Sequence, residues 1–312
     1  MSLTIVLFMI LKGIIYGLSV LFTADLTNSL DVLDVLALRF LMSFVVLFLL
    51  KAFKVIKVNV GIKDIFCKTE HSRFIRPLLL AGLFEPVLYM FFETLGISQT
   101  SSVTAGVLLA MAPIAACLCE MLVLKEKSTF AQKIFLTAGI VGVIYIAVNT
   151  NTSDGTNTIL GILSILLAMV FGQLYCVFSR KSSSRFTAFD VSYIACMLGT
   201  VVFNAINFVR HCINGSLLHY FDPYWNPENL IGFVYLSILS TIVATAMQNY
   251  ALSKAQVSSL SAFGGVSTIV TVTAGVIFQN EQLFPFHIVG FILIAIRMIG
   301  VSYIEFKNSK QK

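Results

Sequence analysis

Apolar residues along this chain neither alternate with polar ones nor keep to one helical face. They run nearly unbroken for about 20 residues at a time, the length that crosses the hydrocarbon core of a bilayer, and then yield to short polar stretches. Ten such windows lie near residues 4–24, 34–53, 77–97, 101–123, 130–149, 158–179, 187–209, 230–252, 256–278 and 285–304. A membrane barrel would need short alternating strands, whereas long continuous runs satisfy their backbone only as helices. The pattern therefore predicts an all-α membrane protein of ten transmembrane helices. Composition agrees: 58% of the 312 residues are hydrophobic, 12% are charged and the mean hydropathy is +0.92, far from the balance of a soluble domain. The first run has no basic leader and no small-residue cleavage site, so it is expected to stay as a span.

Charge then orients the windows. With the N-terminus inside, the inner side receives all of the 21 Lys and Arg except Lys12, Arg39, Arg210 and Arg297. The outer side receives Arg210 beside Asp25, Asp31, Asp34, Asp154, Asp222, Glu228 and Glu281. The positive-inside rule thus predicts N-in, C-in and an even number of spans. The net charge of +6 is topological, facing anionic lipid through the loop from Lys51 to Arg76, and implies no nucleic-acid partner. Of the six cysteines, Cys117, Cys119, Cys176 and Cys196 fall within windows, Cys67 in an inner loop and Cys212 in an outer one. They read as small apolar filler, not as a disulfide or metal framework.

The two halves resemble each other. Adding 155 to the numbering carries Gly17 to Gly172, Ser98 to Ser253 and Glu126 to Glu281, and lays five windows on five. Because five is odd, the second copy enters the membrane upside down. The expected organisation is two inverted five-helix repeats, residues 1–150 and 151–312, with a solute site between them near mid-membrane.

The stretches "LLAMAPIAACLCEMLVLKEKSTFAQK" at 108–133 and "GGVSTIVTVTAGVIFQNEQLFPFHIVG" at 264–290 resemble paired signatures of the drug/metabolite transporter superfamily, EamA type. The similarity includes Pro113, Glu126, Gln132, Glu281 and Gly290, and "DVLALRF" at 34–40 is similar to the acidic-then-Arg start of that family's second helix. This sequence departs at Thr268, where the second-copy proline would stand, and at Arg297 in the tenth window. The resemblance implies a ten-helix bundle with a central cavity lined mainly by its first, third, fourth, sixth, eighth and ninth helices. It also implies alternating access and, by family habit, export.

Buried polar residues mark where such a cavity would lie. Glu85 sits about eight residues, on the order of 12 Å, above the inner end of the third window, and Lys12 sits at the same depth in the first. A charge at mid-membrane costs roughly 2.5–3.5 kcal/mol on insertion scales and faces the bundle interior or water, so the two are expected to pair. Lys12, Tyr16, Ser19 and Thr23 share one helical stripe; Glu85, Tyr89 and Glu93 share another; Ser237, Thr241, Thr245 and Gln248 form a third. The repeat relates Glu93 to Gln248, Glu85 to Ser240 and Tyr16 to Phe171, which shares a face with Tyr175. Pro86 and Pro113 interrupt spans and are expected to kink them. Their second-copy equivalents are Thr241 and Thr268, so the kinks should be confined to the first copy.

These residues compose a substrate site of Lys12, Tyr16, Glu85, Tyr89, Tyr175 and Gln248, with Glu85 carrying a coupled proton and Glu93 as an outer relay. Each also has a structural reading: Lys12 and Glu85 as a packing ion pair, the tyrosines as packing rings, Arg39 as a partner for Asp34 or a snorkelling cation, and Glu126 and Glu281 as charges opening their own helices. Glu120 and Arg297 have no evident role, and the aromatic segment 219–230 reads as an outer interfacial anchor. His71, His211, His219 and His287 head no catalytic or metal motif, and no ATP motif or other cofactor signature is present. The reading is a secondary transporter for a small organic metabolite, an amino acid, cation or related solute, in the plasma membrane. A passive channel, a membrane scaffold and a membrane-embedded enzyme remain the alternatives.

Overall fold

The computed structural model describes residues 3–59, 72–110, 112, 115, 158–183, 185–255, 260, 263–282, 284, 285, 288, 289 and 292. Every regular element among these residues is helical. The long helices are α1 (Leu3–Ser29), α2 (Val32–Ala52), α3 (Ser72–Gly82 continuing through Leu83–Leu88 and Tyr89–Ile97), α5 (Ile159–Ser182), α6 (Ala188–Ile213) and α7 (Pro227–Val234 continuing through Tyr235–Ala244 and Thr245–Leu252). Between and after them lie α4 (Ser102–Leu109) and α8 (Gly264–Phe278). Among the described residues, six helices are long and apolar enough to cross a bilayer, and α8 is apolar but shorter. The protein is a multi-pass integral membrane protein. Of the ten windows, 130–149 lies outside the described residues, 101–123 and 256–278 are described in part, and 285–304 only at scattered positions.

Polar residues at the window edges start the helices. Asp31 accepts from Leu33 N–H at 2.9 Å ahead of α2, Ser101 from Thr104 N–H at 3.1 Å ahead of α4, and Thr158 from Gly161 N–H at 3.0 Å ahead of α5. Thr187 and Asp190 form a reciprocal capping box at the start of α6. The other Asp190 oxygen accepts from Asn59 N–H at 2.7 Å, tying the chain beyond α2 to that end.

Glu281 corrects the expectation that it opens its own helix. Asn280 turns the chain with φ of 52°, and the Glu281 carboxylate reaches back to accept from the N–H groups of Ser102 and Val103, both at 2.7 Å. A charge at a helix N-terminus is the right chemistry, but the helix is α4, in the other half of the chain. Glu281→Gln should therefore destabilise the α4–α8 junction by about 1–2 kcal/mol, the value of a strong cap, read as a lower melting temperature in detergent.

Packing separates a lipid face from an interior face. Leu7, Ile10, Leu11 and Ile14 form an exposed stripe on α1, while Gly13 and Gly17 lie against Val266 and Val270 of α8. At Gly17 a Cβ would meet that of Val270 at 2.6 Å and the Ser267 carbonyl oxygen at 2.7 Å. Thr271 donates to the Gly17 carbonyl at 2.9 Å across the same contact. Near the C-terminal end of α1, Leu26, Val35, Leu38, Tyr220, Phe233 and Leu236 form one apolar cluster; near its N-terminal end Ile5, Met9, Ala251, Leu252 and Leu260 form another. The aromatic segment 219–230 is partly packed on the first of these clusters and partly exposed. Tyr220 is buried in that cluster, Tyr224 donates to the Leu38 carbonyl at 2.6 Å, and Trp225 is 82% exposed.

Both α3 and α7 widen into π-helical turns, at Leu83–Leu88 and Tyr235–Ala244. The offset of 155 places the first stretch inside the second. The widened turn is thus common to both helices, but the backbone break is not: Glu85 alone leaves helical geometry, next to Pro86, as expected of a kink tied to the proline. In α7, Thr241 supplies the widening by donating to the carbonyl of Leu236, five residues earlier, at 2.8 Å.

Arg39 also departs from expectation. It stands five residues after Asp34, about 140° around an α-helix from it, so the two diverge. Asp34 instead accepts from Asn207 at 3.0 Å, His211 at 2.8 Å and Arg210 at 2.5 Å at the C-terminal end of α6. Arg39 is 2% exposed and donates to Thr241 at 2.9 Å and Ser240 at 3.1 Å, fastening α2 to the widened turn of α7.

Candidate functional site

Proline 86 has no N–H to give the helix and disfavours helical geometry in the residue before it. Accordingly Glu85 adopts φ of −139° and ψ of 117° inside an otherwise helical run. The side chain at this break lines a cavity of about 140 Å³ enclosed by residues of α1, α3, α4, α5, α7 and α8. Its polar wall holds Lys12, Tyr16, Glu85, Tyr89, Glu93, Gln173 and Gln248, and Met9, Leu252, Leu260 and Phe263 supply apolar surface toward the N-terminal end of α1. Glycine at 172 admits the Tyr89 ring, because a Cβ there would lie 3.0 Å from Tyr89 Cδ2.

Lys12 and Glu85 share this cavity, yet among the described residues no ion pair joins them. The Lys12 amine instead lies over the ring of Tyr16, one helical turn along α1 and 4.5 Å from its centroid, a cation–π geometry. The Tyr16 hydroxyl shares a hydrogen bond with Thr245 at 3.2 Å. Glu93 lines the same cavity as Glu85 and accepts a hydrogen bond from the Tyr89 hydroxyl. Gln248 is 7% exposed and donates weakly to Cys176 Sγ at 3.5 Å.

Tyr175 is not among the residues lining the cavity. It is wholly buried behind the wall, where its hydroxyl and that of Ser179 donate to Asn249 Oδ1 at 2.5 and 2.8 Å, while Asn249 Nδ2 donates to Ser192 at 3.1 Å. These bonds join α5, α6 and α7 and leave that hydroxyl engaged away from the cavity. Phe171 likewise turns from the Tyr16 region and stacks with Phe84 and Phe92, centroids 6.2 and 5.7 Å away. Pro113, Glu120, Glu126 and Arg297 lie outside the described residues.

Two residues were missed by sequence reasoning. Gln173 is the only amide side chain in its window, a signal available but not used, and its Oε1 is buried without a hydrogen-bond partner. Arg39 is visible in the sequence as a cation within a span, and the helical angle that separates it from Asp34 is the signal that excludes their pairing. Among the described residues no three His, Cys, Asp or Glu side chains converge as a metal site.

The profile described as the EamA-like transporter family matches the chain twice, over residues 3–148 and 159–303. The chain belongs to that family. This EamA-like transporter is 33% identical over 302 residues to the uncharacterized transporter YcxC of Bacillus subtilis (strain 168), covering 97% of this chain and 94% of that one. An uncharacterized transporter of Archaeoglobus fulgidus is 26% identical over 204 residues, 65% of this chain and 68% of its own length. A chain of known crystal structure shares the fold with a TM-score of 0.63 at 14% identity, over 97% of this EamA-like transporter and 98% of that chain.

Proposed function

We propose that this EamA-like transporter is a secondary carrier that moves a small organic metabolite across the plasma membrane by alternating access, outward and in exchange for protons. The carrying observation is Glu85, 6% exposed at a helix break on the wall of a cavity enclosed by helices of both halves, with no hydrogen bond or ion pair among the described residues. A carboxylate at such depth must be met by water, a proton or cargo, and a group that these three compete for is suited to coupling.

Two features support repeats at 1–150 and 151–312, while the inverted, N-in and C-in arrangement rests on the odd span count of each half and on the positive-inside rule. The family profile matches each half separately, and the widened turns of α3 and α7 are equivalent under the internal repeat. Proteoliposomes test the carrier reading directly: saturable counterflow of a radiolabelled solute from an amino-acid and amine panel is expected, and ion conductance without exchange would instead make the protein a channel. Orientation has its own test. Cys212, exposed at the end of α6, should react in intact cells with an impermeant maleimide, while a cysteine at position 57 should react only after permeabilisation. The opposite labelling would invert the topology.

A further inference from the structure

Toward the C-terminal end of α1 the cavity is closed in two layers. Val20 and Met169 of its wall belong to an apolar cluster with Ala24, Ile97, Leu108 and Ile165, contributed by α1, α3, α4 and α5. Beyond that layer lies the turn that follows α8. On one side of the turn Gln279 Nε2 donates to Asp25 of α1 at 2.8 Å, and on the other the Glu281 carboxylate accepts from the Ser102 and Val103 N–H groups of α4, both at 2.7 Å. A turn from the second half of the chain thus ties down two helices of the first.

This junction combines strong bonds with unmet ones. Hydrogen bonds to a carboxylate are about twice as strong as neutral ones, so the Glu281 cap is firm. Ser102 Oγ and Gln279 Oε1, at the same junction, are nevertheless buried without a hydrogen-bond partner. Each forgoes hydration while the junction is shut and regains it when water enters, which offsets part of what the cap contributes. Opposed contributions of this kind bring the shut and open arrangements close in free energy, the condition for an element that switches.

Packing sets the plane along which the junction parts. Thr271 of α8 donates to the Gly17 carbonyl of α1 at 2.9 Å, and Gly13 and Gly17 lie against Val266 and Val270. Toward α4 the same threonine turns its methyl, which a Cβ on Gly106 would meet at 2.8 Å. Here α8 is hydrogen-bonded to α1 but rests on α4 through a methyl and a glycine, and at its end Glu281 holds α4 in place.

From these observations we infer that Glu281 is the latch of a gate at this end of the cavity: released from Ser102 and Val103, it lets α4 part from α8 and admits solvent to the cavity. The latch rests on the carrier reading for its purpose, but its opening is measured without cargo, flux or a gradient.

The test follows labelling of Cys176, which lines the cavity. Cys212 marks the side of the gate, because its neighbour His211 bonds Asp34 in the first turn of α2. Sealed vesicles holding the full-length protein are treated with impermeant sulfonatoethyl methanethiosulfonate on the side that labels Cys212, and the rate at each cysteine is read by peptide mass spectrometry. Cys196, 2% exposed in a packed cluster, reports unfolding. Glu281→Gln should raise the Cys176 rate by about fivefold or more, a population shift toward the open state. Ser102→Ala removes the unpartnered hydroxyl and keeps the N–H that Glu281 holds, so it should favour the shut state and lower the rate by about threefold. It carries the test alone if Glu281→Gln fails to fold. Cys196 should stay unlabelled in both. Unchanged Cys176 rates, a rise in Ser102→Ala, or a rise in Glu281→Gln matched at Cys196 would overturn the inference. The expected pattern in a protein without counterflow would uphold the latch and sink the carrier reading.

Discussion

Replacing Glu85 by Gln should abolish gradient-driven accumulation while cargo exchange persists. In proteoliposomes with an imposed pH gradient, one proton exchanged per cargo molecule supports about a tenfold concentration ratio per pH unit, because a factor of ten corresponds to about 1.4 kcal/mol. Wild type should approach that ratio, and Glu85→Gln should fall to a ratio of about 1 with counterflow retained. The amide preserves shape but can neither exchange a proton nor carry the negative charge, so exchange should persist with weakened cargo affinity while the link to the gradient is lost. Glu93→Gln should have a smaller effect on the ratio, because Glu93 is already engaged by Tyr89 whereas Glu85 has no such partner among the described residues. Wild-type transport that ignores the gradient for every exchanged solute would make Glu85 a binding residue and the protein a facilitator.

The largest expected effect on folding comes from Gly17→Ala. The new methyl would meet the Val270 Cβ at 2.6 Å and the Ser267 carbonyl oxygen at 2.7 Å, so α1 and α8 must separate and strain the Thr271 bond to the Gly17 carbonyl. Overpacking of this kind costs about 1–3 kcal/mol, and the second contact is with backbone, which cannot rotate away. Thermal unfolding in detergent should show a clear drop in midpoint with a lower yield of monodisperse protein. Gly264→Ala is the matched control, since nothing lies within 4 Å of a Cβ at the start of α8. A midpoint for Gly17→Ala equal to that control would mean that α1 and α8 do not meet at this register.

The same residues show how far one-dimensional reasoning reaches. Span positions, a polar interior and the involvement of Lys12, Tyr16, Glu85, Tyr89 and Gln248 in one cavity follow from depth and helical spacing, because a bilayer sets depth and a helix sets angle. Partner choice does not follow from either. Lys12 and Glu85 stand at one depth, yet the amine turns to the Tyr16 ring on its own helix, a contact no comparison of windows reveals. Tyr175 shares a face with Phe171 in the sequence, but the packing of α5 against α7 gives its hydroxyl to Asn249.

What the sequence alone determined about this protein is its class: a polytopic helical membrane protein, duplicated, of the EamA type, with acid and base buried in its spans. The membrane class, the duplication and the buried charges are written in composition, period and repetition, and the EamA type in short motifs that resemble that family, each of which is local or additive along the chain. Only the tertiary structure decided which end of which helix Glu281 caps, that Arg39 holds the widened turn of α7 and not Asp34, that Glu93 joins Glu85 in the cavity, and that Gln173 is left without a donor. Each of these is a meeting between residues far apart in sequence. Their geometry depends on how helices rotate and tilt against one another, and neither rotation nor tilt is encoded in the pattern of any single span.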